Sequence, residues 1–456
     1  MAGKINKHEV GKMTLFALTW PIFIEILLYM LMGNADTLML SQYSDNSVAA
    51  VGVSNQLLSI VIVMFGFIAT GTAILVAQHL GAKEYKDAKE VAVISIVGNL
   101  IFGIFLSVIL FLFGKVFLDL MGIPLELMDD AYTYLVLVGG FSFVQAIIMT
   151  LGAIIRSYGF TKDSMYVTIG MNILNVIGNY LFIFGPFGIP VLGVQGVAIA
   201  TIVSKLIGLV VLLFLLFKRI EGTLPFSKVF SLPFYHTKNL LRIGIPSAGE
   251  HLSYNTSQVA ITFFITMIGT EALTAKVYTQ NVMMFIMLFS VAISQGTQIL
   301  IGHMIGAKNY ENAYKRCIKS LRIAIVISTG AAIIVSFFSH EILSIFTTNP
   351  DILKVGGTLI FLTILLEPGR AINLVVINSL RATGDVKFPV YMGILSMWGV
   401  SVTISYVLGI HLGLGLVGIW ISFIADEWLR GIIMLFRWRS RAWINKTFIR
   451  QEEQPA

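Results

Sequence analysis

Charge is what this chain has least of. Asp, Glu, Lys and Arg together make up 12% of 456 residues, about half the share of an ordinary soluble domain. Hydrophobic residues reach 57% and the mean hydropathy is +0.86, which excludes a soluble globular protein. A single cysteine, Cys317, excludes a disulfide framework. The apolar stretches run continuously and do not alternate with polar residues, which excludes a closed β-barrel. No short apolar leader followed by a small-residue cleavage site opens the chain. Enzyme signatures are missing as well. His8-Glu9 and His340-Glu341 lack the second histidine of a zinc-hydrolase helix, and neither a Gly-x-Ser-x-Gly elbow nor a phosphate-cradling loop occurs. With no soluble segment to hold ATP, any pumping would draw on an ion gradient, and no cofactor beyond a transported ion is expected.

What is present is a series of long apolar runs. A membrane helix needs roughly 20 such residues, and twelve segments qualify: 13–40, 48–77, 91–118, 131–155, 164–185, 193–217, 239–268, 275–302, 317–340, 356–379, 388–411 and 414–436. The expected architecture is an all-α polytopic membrane protein with two six-helix lobes, 1–217 and 239–436. A cytoplasmic linker, 218–238, carries Pro225 and Pro233, and 437–456 forms a basic tail, solvated or lying on the membrane surface. The net charge of +7 does not point to nucleic acid, because the basic residues follow alternate connections between the apolar runs. Of 31 Lys and Arg, 22 lie before the first helix, in every second connection or in the tail, and Arg242, Lys319 and Arg322 stand in the first two turns of spans that follow such connections. Lys115, Lys276 and Lys354 lie in the opposite connections, and Lys205, Arg370 and Arg430 within helices. By the positive-inside rule both termini are cytoplasmic, in a cell membrane.

The second half repeats the first at a shift of 225 residues. Pro21, Glu25 and Tyr29 fall on Pro246, Glu250 and Tyr254; Gly71-Thr72 falls on Gly296-Thr297; Gly81-Ala82-Lys83 falls on Gly306-Ala307-Lys308; and Arg156, Gly159, Lys162 and Tyr166 fall on Arg381, Gly384, Lys387 and Tyr391. Six helices per half give both halves one orientation, so their pseudo-twofold axis runs along the membrane normal. Many transporters are built as two such halves with a site between them.

Ionisable residues inside a bilayer are functional candidates. In the first helix Glu25 and Asp36 are eleven residues apart, close to three turns, and share a face with Tyr29 and Gly33. Asp36 also admits a reading as a helix-end residue facing outside water. Asn172, Asn175 and Asn179 form a stripe on the fifth helix, suited to holding a carboxylate or a cation, or to plain interhelical hydrogen bonding. In the second half Glu250, Tyr254 and Ser257 share a face. Glu367 stands three residues before Arg370 and Asp426 four before Arg430, spacings that also allow local ion pairs. Lys205 has two readings, paired with a first-half acid or reaching the cytoplasmic surface. Gln280 and Asn281 mirror Asn55 and Gln56, and Met283 and Met287, with Met30, Met32 and Met284, offer a soft wall for a promiscuous cavity.

These residues carry a resemblance. Trp20-Pro21 with Asp36-Thr37-Leu38-Met39, the two Gly-Ala-Lys loops, Asn175-x-x-x-Asn179-Tyr180-Leu181-Phe182-Ile183-Phe184-Gly185, and the helix start Leu192–Gly196, which recurs at Leu414–Gly418, resemble the multidrug and toxic compound extrusion (MATE) family over nearly the whole chain. The resemblance implies efflux of organic cations by antiport with sodium or protons, by a protein acting as a monomer. It assigns Asp36, Asn175 and Asn179 to a polar site of the first lobe, with Glu25, Tyr29 and Gln56 near it. An asparagine at 179, where the proton-linked DinF-like branch has aspartate, favours the NorM-like branch. In that branch second-lobe acids bind the cation, which points to Glu250 and Glu367, with Tyr254, as sodium ligands; hard oxygen donors suit that ion. The alternative is a lipid-linked oligosaccharide flippase of related architecture, which would need a cavity rich in Arg and Lys.

Overall fold

The computed structural model describes residues 13–449. The early basic residues Lys4, Lys7 and Lys12, the His8-Glu9 pair and the tail from Arg450 onward lie outside the described residues. Within them the chain is helical, with no strand. In lipid an unpaired backbone N–H or C=O has no water to turn to, so each crossing segment closes its own hydrogen bonds as a helix.

The helices are α1 Leu15–Ser41, α2 Asp45–Gly81, α3 Tyr85–Leu120, α4 Leu125–Gly140, α5 Ser142–Ser157, α6 Thr161–Phe184, α7 Gly193–Arg219, α8 Phe234–Ile268, α9 Thr270–Gly306, α10 Tyr310–Phe337, α11 Ser339–Ser344, α12 Pro350–Thr383, α13 Lys387–Ser396 and α14 Gly415–Arg439. Each of the twelve expected spans has a helical counterpart, with three differences. The fourth is not one helix. It bends by 44° between α4 and α5, after Gly139-Gly140 and before Ser142, the small residues at which helices kink. The eleventh continues from α13 through two π-helical stretches, Met397–Val402 and Ser405–His411. By length and composition nine described helices can cross a bilayer, ten with the bent pair. The seventh and twelfth expected spans, α8 and α14, fall short of that measure. A polar run at 250–258 interrupts α8, and Asp426, Glu427 and Arg430 interrupt α14.

The chain forms two compact units. One comprises the described residues up to Val76 and Glu84–Leu241; the other comprises Ala77–Lys83 and the described residues from Arg242 on. The first has two apolar cores. One gathers Leu58, Phe65, Leu110, Leu135 and Val197; the other gathers Ile96, Ile148, Leu151, Met171 and Leu212. Leu224 and Phe226 pack against the latter, so the 218–238 connection is anchored to the first unit. The second unit is centred on Ile261, Ile265, Leu359, Leu366, Ile419 and Trp420.

Two expectations about the second unit meet a difference. The tail, expected solvated or on the membrane surface, is exposed at Arg439, Ser440, Arg441, Asn445 and Lys446 but buries its aromatic residues. Trp438, Trp443 and Phe448 are buried. The rings of Trp438 and Trp443 stack 4.4 Å apart, and Arg437 pairs with Asp385 at 2.8 Å. Gln78 holds the segment down: its Oε1 accepts from Thr447 Oγ1 and Phe448 N, each at 3.1 Å, while its Nε2 donates to Ala382 O. Three large aromatic faces outweigh the basic residues beside them. Met283, expected on a cavity wall, is likewise buried in the core of this unit, because the α9 face that carries it packs on α12 and α14.

The repeated Gly-Ala-Lys loops have one shape. Lys83 and Lys308 both take positive φ, 63° and 56°. Ala82 N donates to Gln78 O at 2.9 Å and Ala307 N to His303 O at 3.0 Å, the left-handed turn that ends many helices. Gln78 and His303 are themselves repeat partners. A Cβ on Gly81 would strike the His303 carbonyl, and a Cβ on Gly306 the Gln78 carbonyl. The repeat is therefore read out in space as a reciprocal crossing of the α2 and α9 ends, within the second unit, and glycine is required because backbone meets backbone.

Gly306→Ala should destabilise the protein by about 1–3 kcal/mol, the usual range for overpacking, and lower the unfolding temperature in detergent. Gly98→Ala, whose Cβ meets nothing within 4 Å, should leave that temperature unchanged. Equal behaviour of the two would contradict the crossing.

Candidate functional site

The embedded charges resolve into four groups, two per unit. In the first unit Glu25 on α1 is bound by Arg156 at 2.7 Å and by Ser164 Oγ at 3.1 Å. Tyr29, half-buried one turn on, interacts with Thr168 and Gln145 and through charge with Glu25. In the second unit Arg381 Nη2 donates to Glu250 Oε2 at 2.5 Å. Glu25 and Glu250 are repeat partners, and so are Arg156 and Arg381. Both pairs span 131 residues. The same buried ion pair is built once per unit, between the first helix of the half and the end of the helix before its fifth span.

The second group of the first unit centres on Asp36. It is 8% exposed and accepts from Asn179 Nδ2 at 2.5 Å, so it is not a helix-end residue facing water. Asn175 Oδ1 accepts from Asn179 at 3.3 Å, and Asn175 Nδ2 donates to Thr201 Oγ1 at 3.1 Å. The expected asparagine stripe is thus shorter by one: Asn172 turns back to Thr168 O on its own helix. Lys205 acts on Asp36 through charge, with no ion pair between them among the described residues. Tyr134, buried on α4, faces the same group, next to Asn55 and Thr201.

The second group of the second unit is the most charged. Arg370 donates to Glu367 Oε1 at 2.6 Å. Arg430 holds Asp426 through Nε at 3.1 Å and Nη2 at 2.6 Å and lies 3.2 Å from Glu427 Oε1. Asn373 donates to Glu427 Oε2 at 2.7 Å, and Ser396 Oγ to Asp426 Oδ1 at 2.6 Å. Tyr254 interacts through charge with Arg370, Glu427, Arg430 and Asp426. Three carboxylates thus share two guanidiniums. Glu367 Oε2 and Asn373 Oδ1 are buried with no hydrogen-bond partner among the described residues. Glu250 acts on this group through the charge of Arg430 but is held by Arg381; no direct bond joins it to Glu367 among the described residues.

The remaining candidates stand apart from these groups. Gln56, Gln280 and Asn281 are exposed, Met287 is half-buried, and Met283 belongs to the core already described. The sequence reading missed Arg156 and Arg381 as partners of glutamates, and Glu427 and Asn373, along with the hydroxyls of Tyr134, Ser164, Thr201 and Ser396. The first two carried a signal, since they repeat at the same shift as the acids they bind. Glu427, beside Asp426 in an apolar run, was equally visible.

The paired arrangement has a measurable consequence. Removing one member of a buried ion pair leaves an unanswered charge, at a cost of about 3–5 kcal/mol, whereas replacing both is far milder. Arg381→Met should therefore lower the unfolding temperature more than Arg381→Met combined with Glu250→Gln, and Arg156 with Glu25 should behave the same way. A double variant as unstable as the sum of its singles would show that the pairs are not coupled.

The family model described as MatE matches residues 21–181 and again 246–407, two copies that begin 225 residues apart. The chain is 57% identical over 442 residues to the uncharacterized transporter YisQ of Bacillus subtilis, covering 97% of each. It is 28% identical over 453 residues to a probable multidrug resistance protein NorM of Thermotoga maritima, covering 98% of this chain and 97% of that one. Among solved structures, a crystal structure of MATE in the bent conformation superposes with a TM-score of 0.88 at 20% identity, over 96% of this chain and 98% of that one. A MOP superfamily transporter from Pyrococcus furiosus, described as having a binding pocket of reverse polarity, superposes with a TM-score of 0.87 at 21% identity, over 98% and 100% of the two chains.

Proposed function

Because the chain belongs to the MATE family of multi-pass membrane transporters, we propose that it exports amphipathic organic cations in exchange for sodium or protons, by alternating access. The observation that carries this reading is the group on α12 and α14. Glu367, Asp426 and Glu427 outnumber Arg370 and Arg430 by one negative charge, and two buried oxygens, Glu367 Oε2 and Asn373 Oδ1, stand without donors among the described residues. One surplus charge with unpartnered oxygens suits one monovalent cation. Sodium takes hard oxygen ligands, and a proton needs only a carboxylate. In this reading Glu367 is the ligand, Tyr254 lines the approach, and Glu250 responds through Arg430 and Arg381. Asp36, with Asn179 and Asn175, forms the corresponding polar site of the first lobe.

Ion and drug need not share atoms. Each has only to favour the opposite state of the transporter, and the coupling is then reciprocal. Each inward positive charge draws about 2.3 kcal/mol per 100 mV of membrane potential. The protein would work as a monomer in the cell membrane, with lobes 1–217 and 239–436 and both termini cytoplasmic, and would need no cofactor other than the transported ion.

The test is efflux of a fluorescent organic cation from proteoliposomes under an imposed sodium gradient or an imposed pH gradient. Sodium-driven efflux should fall at least tenfold in Glu367→Gln and in Glu250→Gln. Proton-driven efflux abolished by Asp36→Asn alone would move coupling to the first lobe. Full transport by Glu367→Gln would remove that residue from the ion path, and no efflux under either gradient would favour the flippase alternative.

A further inference from the structure

Away from the embedded charges, three side chains of the first unit present the donor set of a metal site. Asp87 and Glu90 are three residues apart near the start of α3, on one face of the helix. His236 lies in the first turn of α8, in the connection that joins the halves. One ligand atom from each residue lies within 4.8 Å of the other two. His236 Nε2 is 3.2 Å from Glu90 Oε2 and 3.5 Å from Asp87 Oδ1. A tetrahedral ion with bonds of about 2.0–2.2 Å keeps its ligand atoms about 3.4 Å apart, so two of the three separations already suit it. A small rotation of one carboxylate closes the third.

The surroundings fix these donors. The His236 side chain is 1% exposed and that of Glu90 8%. Tyr235 O–H donates to Asp87 Oδ1 at 2.8 Å, the kind of outer contact that orients a ligating carboxylate, and the Tyr235 ring lies 3.9 Å from the His236 ring. Lys86 approaches the other oxygen of Glu90, Oε1, at 3.8 Å from a position 88% exposed, so Oε2, now hydrogen-bonded with His236 Nε2, is the oxygen an ion would take in exchange for that bond. Two carboxylates and a neutral imidazole carry two negative charges, the match for a divalent cation. One nitrogen and two oxygen donors suit zinc, manganese, iron or cobalt better than calcium, which takes six or more oxygens.

We propose that Asp87, Glu90 and His236 form a divalent transition-metal site, completed by water, that ties the 218–238 connection to the start of α3. The connection is already anchored at its other end by Leu224 and Phe226 in the apolar core. The metal supplies the second anchor, next to the point where α8 begins.

The experiment uses the full chain in detergent, with any polyhistidine tag removed and metal stripped by a chelator. Cobalt(II) titration followed by visible absorption, and zinc(II) titration by calorimetry, should give one equivalent per chain, with the absorption of a four- or five-coordinate cobalt ion. Glu90→Gln and Asp87→Asn should each weaken binding at least tenfold, and His236→Ala should abolish it. Zinc should raise the unfolding temperature of the unsubstituted protein but not of His236→Ala. Asp87→Asn keeps an oxygen for the Tyr235 hydroxyl, so it reports on binding even if His236→Ala folds poorly. No stoichiometric binding to the unsubstituted protein, or binding unchanged in all three variants, would overturn the proposal.

Discussion

A carboxylate placed in hydrocarbon must be answered, and the way this chain answers its carboxylates organises the rest of the structure. Glu25 and Glu250 each receive an arginine from 131 residues away. A pair of that reach joins helices distant in sequence, so it records tertiary structure and not local propensity. Both halves carry both members at equivalent positions. Either member alone would leave a charge in a medium that does not solvate it, so the pair is retained or lost together.

The same logic governs the glycines at the α2 and α9 ends. Gly81 meets the backbone at His303, and Gly306 meets it at Gln78. A sequence repeat becomes a spatial one only if equivalent positions touch reciprocally, and here they do. Lipid offers no hydrophobic drive for one helix to prefer another over acyl chains; close backbone approach at small residues is what remains. Gln78 has a further duty, because its side chain holds the described tail at Thr447 and Phe448.

Much of this was legible in the sequence, because apolar length and exact spacing survive translation into structure. The spans, the repeat and the Gly-Ala-Lys loops follow from such patterns, while the grouping of Asp36 with Asn179 comes from the family resemblance. Other features left weaker traces. Arg156 and Arg381 lie near helix ends and read as loop charges, since an apolar run does not disclose how deep its last turn is buried. The π-helical stretches at Met397–Val402 and Ser405–His411 keep a predominantly apolar composition, broken only by small hydroxyl residues and His411, so no period betrays them. The tail was read by its charge, and three aromatic side chains decided its position. Met283 was read by its softness, yet the face of α9 that carries it packs in the core.

Where the halves differ is more informative than where they agree. The shared Arg–Glu pairs are closed: each acid has its base. The other two groups are not repeats of one another. In the first unit a single acid, Asp36, is met by a neutral amide, with Lys205 acting only through its charge. In the second, three acids crowd two guanidiniums and leave buried oxygens over. A group with one carboxylate and an amide can change its charge by taking a proton, but it offers few ligands to a metal ion. A group with surplus charge and spare oxygens can accept either. On the antiport proposed above, the halves diverge at these positions while the Arg–Glu pairs stay constant, so the two remaining groups differ in what each can bind.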